Sequence, residues 1–507
     1  MHSILLPNNK VVMYDATIWQ ISRIKLPTGS SCRIVNEKTG EKDCWAHSIF
    51  FDIETGELTP LQLHTDTWCS SGALDVNGNL VGTGGDKTGS RTVRYLQACD
   101  TCNWKEDRDA LNEARWYATT VTLGDGSFVI FGGRATFSYE YIPAQGKYNK
   151  ESTKFPFIYQ TKDPVENNLY PFVHLSTDGN LFIFANNRSI LFNPKSNKIL
   201  REYPVLSGGS RNYPSSGMSV LIPIRLYADD NRNVIPAEVL VCGGSTHDSY
   251  SMAETKKVYV NALADCGRMR ITRDQAVWKK EKMPSPRVMG DMLLLPTGDV
   301  LMLNGAKKGS SGWGYAKEPN LTPVLYKPTA KMFERFQELA PTKIPRMYHA
   351  SSALLPDGKV LVAGSNTNNG YLTDVEFPTE LRVEKFSPPY LNPALDDTKP
   401  EIIVKSTNTK LSYGKKFSVQ IRAKGSFKVN REDIMVTMYA PAFTTHGISM
   451  NQRLLILGVH EVRSVWPGVH NILSVAPPSG NIAPQGYYLL FVVYRGVPSK
   501  AVWVQIK

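Results

Sequence analysis

The chain has 507 residues, of which 42% are hydrophobic and 21% charged, with a formal net charge of +12. These values suit a folded globular chain with a large core and exclude a disordered or collagen-like one. No run of roughly 18 apolar residues occurs, so no helix is expected to span a membrane. Its length allows two domains or a repeat array with a smaller partner. The Lys and Arg residues are dispersed, and the densest cluster, "VWKKEKM" around Lys279, is short and diluted by an acid. No basic stripe or nucleic-acid module is visible. Weak attraction to acidic cell-wall polysaccharide is the one polyanion contact expected of such a surface.

Seven cysteines are an odd number. Local pairing of Cys32 with Cys44, Cys99 with Cys102, and Cys242 with Cys266 would leave Cys69 alone, although spacing does not fix connectivity. Disulfides and two acceptor sequons, at Asn187 ("NRS") and Asn320 ("NLT"), point to a secreted protein. The opening "MHSILLPNNK" lacks the sustained apolar stretch of a signal peptide. It reads as a start partway through a repeat.

Taken in chain order, seven strings share one design. They are "LLPNNKVVMYD" from Leu5, "ALDVNGNLVGTGG" from Ala73, "VTLGDGSFVIFGG" from Val121, "HLSTDGNLFIFANN" from His174, "AEVLVCGGS" from Ala237, "LLLPTGDVLMLNG" from Leu293 and "ALLPDGKVLVAGS" from Ala353. Each reads as a strand, a tight Gly or Asn turn and a second apolar strand, the strongest short signal for a hairpin. Spacings of about 48 to 67 residues match four-stranded propeller blades of the kelch type with insertions. With 38 glycines, 32 prolines and little helical periodicity, an all-β fold is expected. After a Pro-rich break near Pro388, alternating runs such as "FSVQIRAKG" and "GYYLLFVVYRG" read as a β-sandwich. The expected architecture is a seven-bladed propeller over 1–390, then an immunoglobulin-like module over 391–507.

The repeat register gathers reactive side chains. Cys69, Tyr117 and His349 each lie nine residues before the turn glycine of their repeat, at Gly78, Gly126 and Gly358. Tyr348 stands just ahead of His349. Equivalent repeat positions occupy equivalent places in a propeller, so a thiol, two phenols and an imidazole are expected to meet at one mouth of the central channel.

The strings "TDTWCSSGALDVNGNLVGTGG", "RWYATT" and "RMYHASSALLPDGKV", with the C-terminal "APAFTTHGISMNQR" (Ala440 to Arg453), resemble motifs of the copper radical oxidases. That family includes galactose oxidase and glyoxal oxidase, and the plant glyoxal (aldehyde) oxidase-like branch looks nearest. The resemblance covers essentially the whole chain. It implies a thioether between Cys69 and Tyr117, and one copper ion held by Tyr117, Tyr348, His349 and His446. In that scheme Tyr117 carries the radical and Tyr348 takes the substrate proton. Aldehyde oxidation by two electrons, with O2 reduced to H2O2, is the implied reaction. The donor set suits copper, since imidazole binds it well and a metal depresses the phenol pKa.

Departures matter too. Galactose oxidase stacks a tryptophan over its thioether just after the Gly-Gly of the blade, whereas "FGGRATFSYEY" has none between Gly133 and Tyr141. Phe137, Tyr139 or a residue from elsewhere in the chain is the expected substitute, and the change favours small aldehydes such as glyoxal and methylglyoxal over galactose. A primary-alcohol oxidase on the same site, or a non-catalytic kelch-type binding protein, are the alternative readings. His64, His174, His247, His460 and His470 are expected to be structural, and Arg115 and Arg346 either orient substrate or pair internally. A monomer is expected.

Overall fold

A computed structural model describes residues 1–424 and 429–507. Six of the seven strings form the first two strands of one antiparallel sheet, as in His2–Leu5 with Lys10–Tyr14 and Ala350–Leu354 with Val360–Gly364. The fifth, from Ala237, supplies only the second strand, Glu238–Gly243, which pairs with Gly217–Leu221. The turns form for a local reason. In the second blade the Asp75 carboxylate accepts from the backbone N–H groups of Asn77 and Asn79, and Gly78 takes φ 81°. These Asx-type contacts and the left-handed glycine fix register before any distant contact exists. Blades two to six have four strands each, and the seventh has three, closing on Val383–Phe386. The first blade meets the seventh through the hydroxyls of Ser3 and Ser351, 2.5 Å apart. The expected all-β propeller with a C-terminal sandwich is therefore present.

The sandwich packs a four-stranded sheet (Glu401–Ile402, Lys416–Arg422, Val469–Val475, Val459–Trp466) against a seven-stranded one. The two bodies trade elements. Ile224–Arg225, an insertion in the fifth blade, pairs parallel with Arg453–Leu457 at the sandwich edge. In return, the hairpin Phe443–Thr445 and Ile448–Met450 joins the first blade through Thr444 and Ser3, and lies in the propeller axis. Neither exchange was visible as a sequence repeat. Among the described residues, no helix is long and apolar enough to cross a membrane.

Disulfides join Cys32 to Cys44, Cys99 to Cys102 and Cys242 to Cys266, and Cys69 is free and buried. Of the two sequons, Asn320 is buried and its amide donates to Ser285 and the Pro286 carbonyl, so it is no acceptor for glycan. Asn187 is half-buried in a strand turn.

Arg115 and Arg346 are structural anchors. Arg115 donates to the Gly132 carbonyl at 2.9 Å and pairs with Glu140 at 2.7 Å. Arg346 repeats this with the Gly364 carbonyl and Glu384, and Arg211 with the Gly243 carbonyl and Asp265. Each guanidinium thus ties the glycine turn at a blade's second strand to an acid farther out. A buried ion pair broken from one side leaves a stranded charge. Glu140→Ala is expected to destabilise the fold by about 3–5 kcal/mol. Glu202→Ala, on the exposed pair with Arg188, should cost less than about 1 kcal/mol. Thermal denaturation of the two variants checks the contrast.

Candidate metal centre

One backbone feature recurs where each inner strand begins. Cys69, Tyr117, Tyr170, Met289 and His349 have φ of 54°, 63°, 49°, 56° and 66°, and each lies nine residues before its turn glycine. Non-glycine residues adopt this left-handed conformation at a cost and need surroundings that hold them. Neighbouring blades supply them: the Tyr117 N–H donates to the Cys69 carbonyl at 3.1 Å, and the Tyr170 N–H to the Tyr117 carbonyl at 2.9 Å.

The imidazole of His446 arrives from the opposite direction. It sits at the tip of the axial hairpin, where His446 and Gly447 have φ of 51° and 76°. Two successive positive φ values describe the type I′ hairpin turn. A Cβ on Gly447 would lie 2.5 Å from the Gly290 carbonyl oxygen, so glycine is required for space as well as for conformation. The Thr445 hydroxyl lies 2.6 Å from His446 Nδ1, which leaves Nε2 facing the axis.

All five side chains singled out in the sequence lie together. Cys69 Sγ is 3.4 Å from His446 Nε2 and in hydrogen-bond contact with the Tyr117 side chain. The His446 ring centroid is 5.9 Å from that of Tyr117, 5.7 Å from Tyr348 and 5.4 Å from His349. Tyr348 and His349 stack at 3.8 Å. Burial pushes the Tyr117 and Tyr348 phenols and the Cys69 thiol well above their usual pKa. It holds His349 down to about 4 and His446 well below the usual imidazole value. The imidazoles are therefore neutral and ready to act as ligands.

Two of the site's rings had no place in the sequence reading. Tyr213 stacks on Tyr117 at 4.5 Å, and its hydroxyl lies 3.2 Å from that of Tyr117 and 2.8 Å from that of Tyr348. Tyr170 faces Tyr117 edge-on at 5.5 Å and donates to the Ser70 carbonyl. Tyr170 shares the nine-residue register with Gly179 and was accessible by the same count; Tyr213 has no such signal. The expected cover by Phe137 or Tyr139 does not occur. Phe137 packs on Tyr159, and Tyr139 lies in the core with Phe131 and Phe155. Both lead into or lie in the third strand of their blade, away from the axis. Trp116 also packs against Tyr117, at 4.8 Å. His174, His247 and His470 bond to Ser219, Ser210 and Ser464, apart from this cluster. His2 instead packs behind His446, at 6.3 Å.

Copper is tested against these donors alone. Among the described residues, no three His, Cys, Asp or Glu side chains converge as a metal site. A site here needs phenol oxygens as ligands. His349 Nε2 is buried with no hydrogen-bond partner, the condition of a ligand atom awaiting its metal. Two neutral imidazoles and two phenols able to become phenolates suit a copper dication in charge and softness. The residues fit.

A glyoxal oxidase N-terminus family model matches residues 1–390, and a galactose oxidase-like early set domain matches 399–506. The chain is 57% identical to aldehyde oxidase GLOX1 of Arabidopsis thaliana, over all of this chain and 82% of that protein. It is 40% identical to aldehyde oxidase GLOX of Vitis pseudoreticulata, over 100% of this chain and 94% of that one. Galactose oxidase of Gibberella zeae is 24% identical, over 87% and 61%. A solved fungal alcohol oxidase of the AA5 family, in complex with copper, superposes with a TM-score of 0.74 over 100% of this chain and 96% of its own, at 16% identity. At that identity the likeness concerns the fold.

Buried neutral imidazoles give a sign to the pH dependence. His349 and His174 are held down, to about 4 and about 3, by burial, whereas an unfolded histidine titrates near about 6.5. Their contribution is present above about pH 6.5 and is lost as pH falls through the folded values. The metal-free protein should show its melting temperature falling between about pH 6.5 and 4, and calorimetry across that range checks it.

Proposed function

Because the chain belongs to the glyoxal oxidase family, we propose that it is a copper radical oxidase that converts small aldehydes to carboxylic acids and O2 to H2O2. The reading is carried by the convergence of Cys69, Tyr117, Tyr348, His349 and His446 on one buried point. Tyr117, Tyr348, His349 and His446 hold the metal in this proposal, and Cys69 joins the Tyr117 ring through sulfur. Residues 1–390 form the catalytic propeller and 391–507 the module that lends His446.

Oxidation of an aldehyde hydrate releases two electrons and two protons, which O2 takes up as H2O2. Bound copper supplies one electron hole by cycling between its +2 and +1 states. The Tyr117 ring supplies the other, since thioether sulfur on a phenol lowers its oxidation potential. Tyr348 takes the hydroxyl proton of the hydrate. Tyr213, hydrogen-bonded to both phenols, holds their oxygens in register, and its ring with that of Trp116 screens Tyr117 from solvent. Burial keeps the radical from water and side reactions. The three disulfides and the part-exposed Asn187 sequon support a secreted enzyme, and the +12 charge supports weak contact with acidic cell-wall polysaccharide.

Copper loading should give O2-dependent peroxide with methylglyoxal, at a rate above that with benzyl alcohol or galactose. Intact mass of the loaded protein should fall by two hydrogens that reductant does not restore. Cys69→Gly should keep the fold, lose that mass change and lose nearly all turnover; full activity in this variant refutes the thioether. Tyr213→Phe, which keeps the stack and removes the hydroxyl, is expected to lower kcat about tenfold, near 1.4 kcal/mol in the barrier; steady-state kinetics reads it.

A further inference from the structure

Four of the nine tryptophans form one continuous set of ring contacts that starts at Tyr117. Trp116 lies 4.8 Å from Tyr117, and Trp68 lies 5.0 Å from Trp116. Beyond Trp68 the set forks to Trp19 at 5.3 Å and Trp313 at 5.9 Å, which meet each other at 5.1 Å. Trp19 is 38% exposed, so the set ends at solvent. The register explains its inner half. Trp68 and Trp116 immediately precede Cys69 and Tyr117, whose left-handed backbone is the same.

We propose that these indoles are a one-electron conduit between the Tyr117 ring and the protein surface. Through it, a redox partner that never enters the site oxidises or reduces Tyr117. Two details set Trp116 apart from an ordinary packing residue. Its Nε1–H is buried with no acceptor, so an oxidised Trp116 has nowhere to leave its proton and the electron hole stays free to move on. The guanidinium of Arg134 lies 5.3 Å over its ring, and that positive charge disfavours a cation resting there. Trp116 is thereby a relay and not a trap. An indole is also more readily oxidised than a benzene ring, so a Trp→Phe change keeps an aromatic ring in place while removing the redox-active one.

The step balances simply. Tyr117 would already have given up its phenol proton on holding copper, so its ring would lose an electron without losing a proton. One electron passes from the Tyr117 ring through Trp116, Trp68 and then Trp313 or Trp19 to an outer-sphere oxidant, for example hexachloroiridate(IV), which becomes hexachloroiridate(III). The proposal rests on the function proposed above for the identity of Tyr117 as the radical site.

The test is stopped-flow oxidation, by hexachloroiridate(IV), of the copper(II)-loaded protein with Tyr117 unoxidised, reading iridium(IV) consumption and the rise of tyrosyl absorbance. The double variant Trp19→Phe/Trp313→Phe should react at least tenfold more slowly, and Trp68→Phe likewise. Trp466→Phe, at the 71% exposed Trp466 in the sandwich, should react as the unaltered protein does. The same order should hold for reduction of the oxidised protein by hexacyanoferrate(II). Intact mass verifies the thioether in each variant; should Trp68→Phe fail to form it, the double variant decides. Oxidation of the double variant at the unaltered rate overturns the conduit. Absence of tyrosyl absorbance and of peroxide in the unaltered protein would instead overturn the oxidase reading.

Discussion

Everything at the hub depends on residues that begin the inner strands in a left-handed backbone conformation. Each blade turns inward there, and a residue with a side chain at that φ must be held by its neighbours. The holding is mutual: the N–H of one blade's residue meets the carbonyl of the preceding blade's. A propeller assembled this way places whatever side chain occupies the position against the axis. Blades two, three and seven happen to carry sulfur, phenol and imidazole there, whereas the sixth carries Met289 and the fifth Ser216, also at positive φ. The chemistry is thus a matter of residue choice at a position whose geometry the fold already imposes.

Around that hub the molecule separates charge from reactivity. The guanidinium groups stand one layer out, each satisfied by a glycine carbonyl and an acid of its own blade. The inner shell holds phenols, imidazoles and a thiol that burial keeps uncharged. A dication entering such a shell would meet neutral donors and would induce its own counter-charges by releasing phenol protons. Isolated buried carboxylates would have carried a standing desolvation penalty without the metal.

Local chemistry made much of this legible in the sequence. The seven hairpins could be read because their turns are written in adjacent residues, such as Asp75 to Asn79. Cys69, Tyr117 and His349 could be read because a repeat carries positional information. Tyr170 obeys the same count and went unused, since a tyrosine in a strand is ordinarily packed core. Tyr213 follows no count: it reaches the hub three residues ahead of Ser216. Phe137 and Tyr139 are candidates for the cover only by analogy with a blade turn, and "FGGRATFSYEY" carries them outward toward the third strand, Ser138–Tyr141. The trade of Ile224–Arg225 for the axial hairpin depends on pairings across hundreds of residues, which no local pattern encodes.

That trade has a bearing on biogenesis. A ribosome delivers the blades in order, and domains tend to fold as they emerge. His446 is made more than about four hundred residues after His2–Leu5, the strand its hairpin joins through Thr444 and Ser3. The hub therefore lacks the His446 imidazole until all seven blades and the first strands of the sandwich have been made. Whatever the hub can do is withheld from a propeller that has not yet received this hairpin, so assembly of the two bodies doubles as a checkpoint.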